Sequence, residues 1–267
     1  MGKLLILTLC FIVLGSTVCF AESEPINIWE VGTEASYILY DEPNVMEEEG
    51  IMYGIDASYI YHKGISGIML RGDGRFSYGQ VDYSNSGTID NIDDYIVETR
   101  GLVGYDFLYS EATIITPYTG FGYRYLNDDT SGMTSSTGAR GYERESNYFY
   151  TPLGIETDTI MDNGWSIGVA VEYDHLWKGI QKSHLSDADP SFNDLENNQD
   201  KGFGARASIR FLKTGEKVDY LIEPFIRYWD IEESKSANIT YAGVLVGFGY
   251  EPENSSTEIG IKFAMRF

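Results

Sequence analysis

The sequence predicts an all-β fold, an up-and-down antiparallel barrel of ten strands that crosses a membrane. Three observations carry this expectation. Apolar and polar residues alternate with a period of two over ten stretches of roughly ten residues. The connections between those stretches alternate between short and long. No segment after residue 21 has the ~18 continuous apolar residues of a spanning helix. A chain of this kind crosses lipid by closing a sheet on itself, so that every backbone donor and acceptor is paired.

The chain opens with Lys3, an apolar run from Leu4 to about Phe20, and the small-x-small pattern Cys19-Phe20-Ala21. It turns polar at Glu22-Ser23-Glu24. That is the order of a secretory signal peptide. The expected division is a signal peptide at residues 1–21, cleaved after Ala21, and one barrel domain at residues 22–267. Lipidation of a cysteine would need a small residue just before it, whereas Leu9 precedes Cys10 and Val18 precedes Cys19. Both cysteines fall in the leader, so the exported part is expected to hold together without disulfides. The net charge of −22 excludes nonspecific nucleic-acid binding, because phosphate repels such a surface.

The first strand is expected from about Asn27 to Tyr40, with Trp29, Val31, Ala35, Tyr37 and Leu39 on one face and Glu30 and Glu34 on the other. The second, about Gly50 to His62, sets Ile51, Tyr53, Ile55, Tyr59 and Tyr61 against Asp56 and Ser58. In the third, Ile68, Leu70, Phe76 and Tyr78 oppose Arg71, Asp73 and Arg75. The fourth, about Ile92 to Asp106, sets Tyr95, Val97, Val103 and Tyr105 against Glu98 and Arg100. The fifth, about Thr113 to Leu126, sets Ile115, Phe121, Tyr123 and Tyr125 against Tyr118, Gly122 and Arg124. The sixth, about Tyr148 to Ile160, is less regular, with Leu153 and Ile155 alternating with Glu156 and Asp158.

Asn163-Gly164 reads as a tight turn, because both residue types tolerate positive φ. The seventh strand has Trp165, Ile167, Val169, Val171 and Tyr173 outward and Ala170, Glu172 and Asp174 inward. The eighth, about Gly202 to Leu212, sets Phe203, Ile209 and Phe211 against Arg206 and Arg210. In the ninth, Tyr220, Ile222, Ile226 and Tyr228 oppose Glu223, Phe225, Arg227 and Trp229. The tenth sets Ile259, Ile261, Phe263, Met265 and Phe267 against Glu258, Lys262 and Arg266.

Short connections are expected near 63–66, 107–112, 161–164 and 213–217, and long ones near 41–49, 79–91, 127–146, 178–201 and 231–255. With short turns on the periplasmic side, an even strand count puts both ends of the barrel there. The threading also collects aromatics into two belts, Trp29, Tyr61, Tyr105, Trp165, Tyr220 and Phe267 at one level and Tyr37, Tyr53, Tyr78, Tyr95, Tyr125, Tyr173 and Tyr228 at the other. Pro117, Pro152 and Pro224 each remove a ladder donor inside a proposed strand, so bulges or local breaks are expected there. The apolar stretch Tyr241–Tyr250 falls inside the last long connection, either as a further strand or as a segment folded over the mouth.

In these features the chain resembles the small single-chain outer-membrane β-barrel proteins of Gram-negative bacteria. The resemblance covers essentially all of the exported part, and its most specific element is the last strand ending in Phe267. It implies an outer-membrane location, contact with membrane lipid and lipopolysaccharide, and an assembly signal at Phe267 read by the insertion machinery. Ten strands also match the omptin surface proteases.

The inward charges nearly balance, whereas the whole chain is strongly acidic. Glu98, Arg100, Arg124, Glu156, Glu172, Arg206, Arg210, Glu223, Arg227 and Lys262 are the expected lumen network, a plug of paired charges inside a narrow barrel. The loop acids, among them Glu42, Glu48, Asp93, Asp94, Asp128 and Asp194, suit divalent cations. Neither a cofactor fingerprint nor the spacing of a transition-metal motif is present. Asp174-His175 suggests water activation, but neighbours on a strand point to opposite faces. The expected function is a charge-plugged barrel with a structural or surface-interaction role. The alternatives are a small porin or channel and an omptin-like or lipid-acting surface hydrolase.

Overall fold

A computed structural model describes residues 24–267, and the leader expected at residues 1–21 lies outside them. The strands are β1 (Ile26–Glu42), β2 (Met46–His62), β3 (Gly67–Ser84), β4 (Ile89–Leu108), β5 (Thr113–Asp129), β6 (Glu143–Ile160) and β7 (Trp165–Ser183). They continue as β8 (Leu195–Gln199), β9 (Gly202–Lys213), β10 (Asp219–Ile231), β11 (Ala237–Tyr241), β12 (Val244–Gly249) and β13 (Asn254–Arg266), with one short helix, α1 (Leu185–Ala188). Ten of the strands, all but β8, β11 and β12, form a ring of antiparallel neighbours closed by β1 against β13. No helix of the described residues is long and apolar enough to cross a membrane.

The burial pattern is inverted relative to a water-soluble domain. Glu30, Glu34, Glu98, Arg124, Glu172, Asp174 and Glu258 are buried, while Trp29, Tyr53, Ile55, Val169, Val171, Phe263 and Phe267 are exposed on the outer wall. Such a wall is stable only where lipid covers it. The aromatic belts flank this apolar band, and ring pairs such as Trp29–Tyr59 and Tyr95–Tyr125 connect neighbouring strands within them.

The short turns fall where expected. At one of them Asn163 and Gly164 both take positive φ, 63° and 71°, the backbone that joins two twisted strands in the fewest residues. The long connections are shorter than expected, because the strands continue past the outer belt. β1 and β2 pair as far as Glu42 and Met46, so three residues replace the expected loop of 41–49. β6 begins at Glu143, not near Tyr148. Tyr241–Tyr250 belongs to neither a barrel strand nor a loose loop. β11 and β12 form a separate two-stranded hairpin, turned at Ala242-Gly243 with positive φ at both residues.

Each proline breaks one ladder and spares the other. Pro117 keeps its place against Ile155 but lies in a gap of the β4–β5 pairing. Pro152 keeps its place against Asp174 but lies in a gap of β5–β6, and Pro224 pairs with Ile261 while β9–β10 skips it. A bulge beside Tyr150 inserts Trp177 into β7, so that Trp177 and Lys178 are both exposed in succession.

Candidate functional site: the filled lumen and the acidic mouth

Parity along each strand brings the inward charges of the sequence into one interior, where three layers stack. At the end of the short turns Lys262 bridges Glu30 at 2.5 Å and Asp56 at 2.6 Å, and Arg266 reaches Glu30 at 2.6 Å. Glu223 is 4.0 Å from Lys262, at the margin of this group. Arg210 reaches Glu156 at 2.8 Å and Asp158 at 2.9 Å. At mid-height Arg206 holds Glu98 (2.7 Å), Glu172 (2.9 Å) and Asp174 (2.8 Å), and Arg100 joins Glu172 to Asp73. Across the barrel Arg75 and Arg227 share Glu34 and Glu258. The space left among these groups is a cavity of about 110 Å³.

Arg124 stands apart from this pattern. It is buried, its nearest acid is Glu258 at 4.0 Å, and its guanidinium lies 5.8 Å from the Tyr148 ring and 5.9 Å from the Trp229 ring. Its charge is met chiefly by aromatic faces and not by a close carboxylate.

The second layer was not expected from the sequence. Ile38, Met46, Met52, Val81, Ile92, Ile96 and Leu126 form an apolar cluster inside the outer half of the barrel. Tyr148, Tyr150, Leu176, Trp229 and Ile231 form another. Both share the parity of the charged set. The paired charges expected from the sequence are thus only part of the filling, which is ionic below and apolar above. The reason is strand length, since the inward rows run beyond the charged positions.

The inward glycines explain how so much fits. A side chain at Gly122 would enter the Tyr150 ring at 2.1 Å, and one at Gly154 would enter the Tyr118 ring at 2.3 Å. Each ring lies over the glycine directly across the β5–β6 ladder. Tyr150 in turn donates to Glu98 at 2.6 Å and accepts from Arg206 at 3.0 Å.

The third layer is the mouth. Arg144 on β6 ties Glu42, Glu251 (2.6 Å) and, at 3.9 Å, Asp128. A cavity of about 560 Å³ lies here under the long connections, lined in part by Glu42, Glu48, Asp128, Arg144 and Glu251. Burial, reinforced by Asp128 and Asp94, pushes the Glu48 carboxyl well above the usual range. Burial also raises Glu251 to about 7, with Arg144 opposing the shift and Glu42 adding to it. Arg144 lay in an expected loop, so its inward parity was not read from the sequence.

Asp174 and His175 separate as strand geometry requires. Asp174 is buried on Arg206, and His175 is exposed on the outer wall. They do not form a pair. Asp93 is exposed and bonded to Tyr78, whereas Asp94 is buried. The sequence also missed Asp106, fully buried, which bonds His62 at 2.6 Å and Thr116 at 2.6 Å. Phe267 closes the ring: its N–H donates to the Trp29 carbonyl at 2.9 Å, and its carbonyl accepts from Trp29 at 3.1 Å.

A closed antiparallel ring with apolar residues outside and ionic residues inside defines an outer-membrane β-barrel protein. The chain belongs to the autotransporter β-domain family, whose model matches residues 47–211. No curated protein sequence matches it. Among solved structures it is similar to the outer membrane protease OmpT from Escherichia coli, with 8% identity, a TM-score of 0.60, and coverage of 94% of this chain and 98% of that one. Two further structures are more distant. The translocator domain of the autotransporter NalP from Neisseria meningitidis has 12% identity, a TM-score of 0.44, and coverage of 89% of this chain and 88% of that one. The Ralstonia pickettii toluene transporter TbuX has 8% identity, a TM-score of 0.37, and coverage of 93% and 90%. At this identity the likeness to OmpT speaks for the fold alone. The protein is located in the outer membrane.

Proposed function

We propose that this protein is a closed, non-conducting barrel with a structural or surface-interaction role, and that the lumen network of Glu98, Arg100, Arg124, Glu156, Glu172, Arg206, Arg210, Glu223, Arg227 and Lys262 contributes to its closure. The observation that carries the reading is the stack of ionic and apolar layers across the whole lumen. Ions crossing it would have to break paired charges and then pass an apolar constriction, which water and ions avoid. The outward surface meets membrane lipid and, at the outer belt, lipopolysaccharide. The acidic connections attract divalent cations from outside. The C-terminal strand ending in Phe267 serves as the signal for the insertion machinery, and residues 1–21 as the export signal.

Planar-bilayer recording on the purified protein tests closure. The unmodified barrel is expected to be silent, and Arg124→Ala, which removes the cation packed between Tyr148 and Trp229, is expected to leak. Large, stable, cation-selective steps in the unmodified protein would overturn this reading in favour of a small channel.

A further inference from the structure

We propose that the outer wall of the barrel carries a site for a first-row divalent transition-metal ion, built from Glu143, Glu145 and His184. The site lies above the outer belt and is independent of whether the lumen conducts. Glu143 and Glu145 have the same parity on β6, so their side chains leave the same face. His184 follows the last residue of β7, and its N–H donates to the Glu143 carbonyl at 2.9 Å. The top of the β6–β7 hairpin thus brings together residues that sequence spacing keeps apart.

One ligand atom from each of the three lies within 4.8 Å of the others, so small side-chain shifts bring them to the spacing of ligands around one ion. All three are half-buried, so the site is reachable from outside. The imidazole is held between two carboxylates. Its Nδ1 is 3.5 Å from Asp194 and its Nε2 is 3.3 Å from Glu145. Asp194 on Nδ1 is the kind of partner that fixes the tautomer of a metal-bound histidine and leaves Nε2 for the ion. On binding, the ion takes the place of the Nε2 proton, which is released to solvent. Asn127 donates to one oxygen of Glu143 at 2.7 Å and leaves the other for the ion. Lys182, 3.1 Å from Glu145, is half-buried, and its flexible side chain can withdraw. An imidazole beside two carboxylates suits Zn²⁺, Mn²⁺ or Ni²⁺ better than Ca²⁺, which takes six to eight oxygens.

The test is titration of the full-length protein in detergent micelles with Zn²⁺, in the presence of excess Ca²⁺. One Zn²⁺ per chain is expected, undisturbed by Ca²⁺. His184→Ala and Glu145→Gln should each weaken it at least tenfold. Asp194→Asn should weaken it by about tenfold, as removal of an orienting partner does. Asp90→Asn, at the outer end of β4, should leave it unchanged. Gel mobility before and after heating confirms that each variant is a folded barrel. No Zn²⁺ binding, equal affinity in His184→Ala, or displacement by Ca²⁺ would each overturn the proposal. The last two would assign the binding to the acidic surface as a whole.

Discussion

Arg206 is the residue on which the mid-height layer depends. Three carboxylates and the Tyr150 hydroxyl converge on one guanidinium. Removing it leaves buried acids without their counter-charge, so Arg206→Ala should destabilise the barrel by about 3–5 kcal/mol. Urea unfolding in lipid vesicles measures this, and a loss near zero would mean that water already reaches the layer. Glu251 allows a different prediction. It faces Arg144, Glu42 and Tyr40, and its carboxyl is raised from the ordinary 4.5 to about 7. A raised acid stabilises the fold most while it is protonated, below its ordinary value, and that contribution is lost as pH rises through the folded value. The mouth should therefore be tighter near pH 4.5 and looser above pH 7. Hydrogen exchange across Tyr40–Met46 and Glu251–Asn254 should quicken over that window, and Glu251→Gln should flatten the change.

At the scale of elements, the seventh strand gives the sharpest check on facing. Val169 points to lipid at mid-wall, and Ala170 points inward. Val169→Arg should cost about 2–4 kcal/mol, and Ala170→Ser should be mild. Folding titrations into bilayers compare the two, and equal costs would contradict the assigned parity. The β5–β6 pair offers another check: Gly122→Ala forces the Tyr150 ring from its seat and should weaken the Glu98–Arg206 contact it supports. Near-ultraviolet circular dichroism and urea unfolding should both register the change. The ten strands were legible because lipid on one side and ions on the other impose an alternation that single residues display. Their outer ends were not, and the reason is physical. Past the belt the outer face meets water and the inner face mixes buried acids such as Glu48 with apolar residues such as Met46, so Glu47-Glu48-Glu49 in β2 carries no apolar alternation although it is paired with β3. The inward charges were legible by parity, but their partners were not, since Arg75 and Glu258 are 183 residues apart. Glu143, Glu145 and His184 were hidden for the same reason. Met52 and Ile96 share the parity of the inward charges, but their apolar chemistry does not distinguish a lumen plug from lipid contact.

For the molecule as a whole, the two Tyr–Gly pairs have a consequence for assembly. Tyr118 covers Gly154, and Tyr150 covers Gly122, across the same ladder. If one strand of the hairpin slipped by one residue against the other, its own ring would turn out toward lipid. If it slipped by two, the rings would meet Arg124 and Glu156 in one direction, and Tyr118 would meet Pro152 in the other. Only one alignment gives both rings a bare backbone. In an open sheet that would fix one hairpin. In a closed ring the offsets between neighbours must add up to a single total, so an error in one seam has to be cancelled in another. The β5–β6 hairpin therefore acts as a reference mark for the circumference, and it limits where the first and last strands can meet when Phe267 finds Trp29.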